Sequence, residues 1–178
     1  MEFEEMIGKA LALGAFRANI IGTEQVVTDA LFRDICASND CGIYGKCWMC
    51  PPDIGEIDEL MAVIHAYRHV LVYQKVYPLE DSFDIEGMRD AKKDFTNLIQ
   101  SVRDAFPDPA MLHLGAGGCG VCERCAKRDD QPCRFPDRAV ASLEGYGIHV
   151  SKLAEAAGMK YINGQDTVTY FGAVFFRV

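Results

Sequence analysis

The chain has 178 residues, 49% of them hydrophobic, with eight cysteines and a formal net charge of −8. That length suits one domain and spares the fold any need of disulfide staples, while the acidic balance excludes a strongly basic nucleic-acid binder. No apolar run approaches the ~18 residues of a membrane span, and the N-terminus MEFEEMIGKALALGAF carries acids where a secretory signal carries Lys or Arg, so the expected location is cytoplasmic, where cysteines are metal ligands more often than disulfides.

Residues 2–16 place Phe3, Met6, Ile7, Ala10 and Leu11 on one helical face, and Gly14 ends the run. Ile20, Ile21, Val26 and Val27 surround a Gly-Thr-Glu turn and predict a short strand or hairpin. Thr28 is placed to cap a short helix over 29–35. The period then stops, and 36–53 read as a loop. Asp53 and Glu56 have the spacing of a capping box for the next helix. Its inner stripe is Ile57, Leu60, Met61, Ile64 and His65.

Residues 70–77, VLVYQKVY, are the clearest strand, and Pro78 ends it. A long amphipathic helix over 84–105 follows, through Met88, Ala91, Phe95, Leu98, Ile99 and Val102. Residues 110–115 predict a second strand, reached by a crossover and so parallel to the first. Beyond a loop over 115–136, helices are expected over 137–145 and 151–157, the latter closed by Gly158. The chain ends on strands 160–163 and 166–177 around an Asn163-Gly164 hairpin turn. The pattern predicts a single α/β or α+β domain over 1–178, with a small mixed sheet of about four strands flanked by helices.

All eight cysteines fall in the two loops, which marks both as cysteine-rich metal-binding loops. In the second, Cys119, Cys122 and Cys125 form C-x2-C-x2-C, and Cys133 follows. This tight run is how bacterial ferredoxins wrap thiolates around an iron–sulfur cube. Gly115, Gly117, Gly118 and Gly120 permit close backbone approach, and Arg124, Lys127, Arg128 and Arg134 offset the anionic charge of such a centre. A four-cysteine zinc site is the alternative, although zinc usually takes two separated C-x2–4-C pairs. The first loop carries Cys36, Cys41, Cys47 and Cys50, then Pro51-Pro52. Four thiolates suffice for a second centre, and Cys50 and Cys133 are the residues placed to exchange between centres.

The stretches CGIYGKCWMCPP and CGVCERCAKRDDQPCRFP, followed by SLEGYGIHV, resemble DUF2284, a family of predicted metal-binding proteins of unknown function. The resemblance runs from about Ile20 to the C-terminus. It implies metal binding, through an iron–sulfur cluster, at the matching Cys41, Cys47, Cys50, Cys119, Cys122, Cys125 and Cys133, with Cys36 the least secure ligand. It implies no reaction.

Other residues weigh less. His65 and His69 stand four apart on the predicted helix but lack an H-E-x-x-H pattern, and His113 and His149 read as structural. Trp48 serves either to shield a centre or as a core aromatic. Glu144 and Tyr146 read as a solvated helix face rather than a cleft wall. No Walker A or G-x-G-x-x-G motif supports Lys46 as part of a nucleotide site. Three functions remain: electron transfer by two [4Fe-4S] clusters, as redox accessory to a partner enzyme; a structural zinc module without catalysis; and an iron–sulfur enzyme with an open cluster site. Complete four-cysteine sets favour the first. The expected partner is a redox protein, with no nucleic acid and no membrane.

Overall fold

Two strands that read as nearly continuous apolar runs form the middle of the sheet. In the computed structural model, which describes residues 2–177, these are β2 (His69–Pro78) and β5 (Thr167–Phe176). Continuous runs arise when both faces of a strand are buried. Val70 and Val72 of β2 join one core with Phe171, Ala173 and Phe175 of β5. Leu71 and Tyr73 join another with Val174 and Phe176. The strand period of two thus sends alternate side chains into separate cores.

Helices cover both faces. Met6 and Ala10 of α1 (Phe3–Ala12) and the apolar stripe of α4 (Ile85–Ala105) fill the second core. Ile64 of α3 (Ile57–His65) and Leu153 of α5 (Val150–Ala156) fill the first. Asp84 Oδ1 starts α4 by accepting the Gly87 N–H at 2.7 Å. The remaining strands are β1 (Arg17–Gly22), β3 (Leu112–Gly115) and the two-residue β4 (Ala141–Ser142). Sheet order is β1-β2-β5-β3-β4, antiparallel throughout except for the parallel β3–β4 pair. This is a single mixed α+β domain with a five-stranded sheet. No helix among the described residues is long and apolar enough to cross a membrane.

Several expectations need correction. β2 and β3 do point the same way, but β5 lies between them and is antiparallel to both. That placement leaves β5 no free edge, so 160–163 form a loop and there is no hairpin at Asn163-Gly164. Asn163 instead donates from Nδ2 to Lys160 O and Thr169 Oγ1. The expected helix over 137–145 is a turn, then β4, then a 3-10 turn at Glu144–Tyr146, because the chain is drawn into pairing with β3. Thr28 does not cap α2 (Leu31–Ala37); its backbone bridges to Ile148, and Asp29 Oδ1 takes the Leu31 N–H. Asp53 caps nothing, since α3 begins at Ile57 and the carboxylate is engaged by Lys127. His65 closes α3 while His69 opens β2, so the two share no helix face.

Candidate metal centre

The second cysteine loop leaves the sheet at Gly115, and the first packs onto it. They lie close at Gly118, where a Cβ would stand 2.8 Å from Ile43 Cδ1 and 3.9 Å from Cys50 Sγ. A side chain at this position would have to displace the tip of Ile43. Gly120, at φ +71°, is held equally close to α4, with Thr96 Oγ1 2.9 Å from its would-be Cβ. Trp48 Nε1 donates to Gln131 O at 2.9 Å across the loops. Lys127 Nζ reaches Asp53 Oδ1 at 2.9 Å and lies 4.3 Å from the Trp48 ring centroid.

All eight cysteines are free thiols. Cys119, Cys122, Cys125 and Cys133 line one cavity of ≈40 Å³. Cys47, from the first loop, lines it too, with Trp48 as part of its wall. Cys47 is buried, and its thiol is pulled down to about 5. The Cys50 thiol donating to it is the largest cause; the N–H groups of Cys119 and Met49 and the Cys125 thiol add to it, against the opposing effect of burial. Cys50 moves the opposite way, raised first by its bond to Cys47 and then by burial, with the charges of Cys41 and Cys36 adding to it. Burial raises Cys36, and neighbouring Cys41 raises it further against the pull of Arg33. Burial also raises Cys119, partly offset by the N–H groups of Val140 and Val121.

The thiols of the two loops are therefore in contact, and the first-loop and second-loop groups meet at Cys47. Cys36, Cys41 and Cys50 influence one another on the first-loop side, while Cys47 stands at the seam and touches both groups. Cys47 stands at this seam, with Cys50 hydrogen-bonded to it and also close to Gly118 of the second loop. Among the described residues no three Cys, His, Asp or Glu side chains already stand in the geometry of a bound metal ion. The donor chemistry is nonetheless selective: sulfur ligands without carboxylate or imidazole suit zinc or iron–sulfur, and not calcium or magnesium.

The basic residues divide unevenly. Arg124 is paired with Asp129 at 2.7 Å, and Arg134 donates to Arg124 O, both on the exposed side of the loop. One cation that feels the thiols of both loops is outside the loop sequence. Lys92 of α4 extends beneath the glycines, its Nζ 3.0 Å from Thr96 Oγ1 and 3.5 Å from the would-be Cβ of Gly120. Burial lowers its affinity for a proton, and the charges of Cys119, Cys50 and Cys47 oppose that. Its sequence signal is faint: Lys92 and Thr96 stand four apart beside the apolar stripe of α4, a polar strip where a solvated face would also fit.

The remaining candidates lie apart from the thiols. His113 is buried with Nε2 3.2 Å from Phe106 O, and His149 Nδ1 meets Ser151 Oγ. His65 Nε2 meets Thr28 Oγ1, and His69 packs edge-on to Phe3. Lys46 donates to Gly42 O within its own loop. Glu144 is no solvated helix residue: it sits half-buried in its 3-10 turn and lines a cavity beside Gly117.

The family model for DUF2284, described as a predicted metal-binding protein, matches residues 19–176. No curated protein and no solved structure matches the chain. Because the family model takes in both cysteine loops and every strand but the first residues of β1, the chain belongs to the DUF2284 family of predicted metal-binding proteins.

Proposed function

We propose that the metal is iron, held as two [4Fe-4S] clusters, and that the protein passes electrons to a partner enzyme. The observation carrying this reading is the set of five cysteines on one small cavity, four of them from the C-x2-C-x2-C run and its follower Cys133. Consecutive C-x2-C steps suit the three corners of a cube better than the paired knuckles of zinc. Cys119, Cys122, Cys125 and Cys133 would hold one cluster. Cys36, Cys41 and Cys50 would hold the other, with Cys47 supplying the fourth thiolate from the seam. Bound clusters would supply one-electron transfer.

The chain's own residues prepare for that charge. N–H groups of Cys119 and Met49 face the Cys47 sulfur and favour its thiolate. Lys92 places a half-buried ammonium where it feels the charges of Cys119, Cys50 and Cys47. Trp48 and Phe135 wall the cavity, and less water raises the cost of added negative charge. A net charge of −8 would steer a basic partner and make its on-rate salt-sensitive.

The test is anaerobic purification followed by iron, acid-labile sulfide and zinc determination with an absorption spectrum. Iron and sulfide near about eight each per chain, with a band bleached by dithionite, is the expected result. Zinc alone in a colourless protein overturns electron transfer and leaves a metal-stabilised module.

A further inference from the structure

Beside the cysteine loops lies a second cavity, of ≈290 Å³, walled by Gly115, Gly117, Glu144, Tyr161 and Phe171 among others. We propose that it is a binding site for a small organic amine, with Glu144 as the residue that receives the ammonium group.

The carboxyl group is the first reason. Glu144 is half-buried, and among the described residues no salt bridge or hydrogen bond from another side chain reaches it. Among the described residues its carboxylate has its own backbone N–H as partner; one such bond compensates only part of the cost of drawing a carboxylate out of water, and a ligand N–H would add a charge-assisted bond. The walls are the second reason. Tyr161 and Phe171 lie nearly parallel, 19° apart with centroids separated by 5.9 Å. Phe171 is 3% exposed and backs Tyr161, so the 49% exposed Tyr161 is the ring left to meet an apolar body or a neighbouring cation. The third reason is what the lining lacks. It contains no Lys, Arg or His, so a phosphate or carboxylate ligand would meet Glu144 with nothing to neutralise it. The volume falls at the lower end of the ~300–1,000 Å³ range of ligand pockets, which suits a compact molecule.

Position gives the site its interest. Gly117 precedes Cys119 by two residues, and the charge of Glu144 is felt at the Cys36 thiol. The turn carrying Glu144 packs on α2, the helix that bears Cys36. A ligand held there would lie alongside the first-loop thiols, as a substrate would beside a metal centre. The proposal goes beyond the electron-transfer reading and stands without it, because it rests on the cavity and not on the identity of the metal.

Benzylamine is a suitable probe, with benzoate as the charge-reversed control, added to the full chain and followed by ligand-observed NMR. Glu144→Gln keeps size and shape while removing the charge; Tyr161→Ala alters a side chain that is 49% exposed, which the fold tolerates. Saturable benzylamine binding, weakened about tenfold or more by each variant and not shared by benzoate, is the expected result. Failure of benzylamine to bind, equal binding of benzoate, or unchanged binding in E144Q overturns the proposal. Metal content is measured on the same samples. Benzylamine binding in a chain without iron would sink the cluster reading and leave this one intact.

Discussion

Lys127 Nζ lies 2.9 Å from Asp53 Oδ1, and that bond joins the two cysteine loops at positions just beyond their last close-spaced cysteines, Cys125 and Cys50. The two side chains are only 19% and 17% exposed, so water competes weakly for either. Asp53 Oδ2 is buried with no partner of its own, which makes the carboxylate dependent on Lys127. Lys127→Met should therefore cost about 1–3 kcal/mol, above an exposed pair and below a fully buried one. Asp53→Asn should cost a similar amount. The double variant should lose less than the sum, as partners in one contact do. Urea unfolding of the four proteins measures this; strictly additive losses would show that the pair does not couple the loops.

Cys47 and Cys36 should differ sharply as ligands. Cys47 touches sulfurs of both loops and carries the thiol most ready to ionise. Cys36 sits at the end of α2 and has its thiol raised by burial. If two centres meet at Cys47 as proposed, Cys47→Ser should remove about half or more of the bound metal, since loss of that thiolate would disturb both. Cys36→Ser should leave the second-loop centre loaded. Metal per chain after gel filtration decides it, and equal retention in the two variants would place Cys47 outside the centre.

On the proposed reading, Lys92 should help to hold the thiolates ionised. Its half-buried side chain runs beside Gly117 and Gly120, with Thr96 as its hydrogen-bond partner. Lys92→Met should weaken metal retention by about 10–100-fold, the usual range for a supporting residue outside the ligand set. If the metal is an iron–sulfur cluster, the midpoint potential should also become more negative, because a nearby positive charge favours the more anionic reduced state. A chelator competition and a dye-coupled redox titration measure the two effects. An unchanged affinity would show that the ammonium does not act on the sulfurs.

The sequence makes the local features legible and the long-range ones obscure. The α4 stripe through Phe95, Leu98 and Val102 follows a 3.6 period, and its Asp84 cap stands where the pattern begins. The cysteine loops are visible because eight cysteines interrupt every period. The insertion of β5 between β2 and β3 is invisible, because nothing in a strand's own pattern names its neighbours. The same limit hides Lys92, Glu144 and the seam position of Cys47, since each depends on segments distant in sequence coming together. Asp53 shows how tertiary contact overrides local propensity: a capping-box spacing is abandoned for a cation 74 positions away.

The buried His113 makes stability depend on pH in a definite direction. Its ring is 7% exposed on β3, with Nε2 held 3.2 Å from Phe106 O and Nδ1 buried without a partner. Burial is the largest cause of its depressed pKa, about 4, with the Phe106 carbonyl opposing and Arg103 assisting. An unfolded histidine titrates near ~6.5. Between those values the unfolded chain binds a proton that the native chain refuses, so stability falls as pH drops from about 6.5 toward 4. At roughly 1.4 kcal/mol per pKa unit, the loss from this residue is about 3 kcal/mol at most. Carboxylates titrate at the lower end of the same window, so the informative quantity is a difference between proteins. His113→Gln keeps a donor for Phe106 O and has nothing to protonate. It should be less stable than the wild type at pH 7 yet lose less stability on acidification to pH 4. Urea midpoints across that range measure it, and parallel curves for the two proteins would show that His113 is not the group responsible.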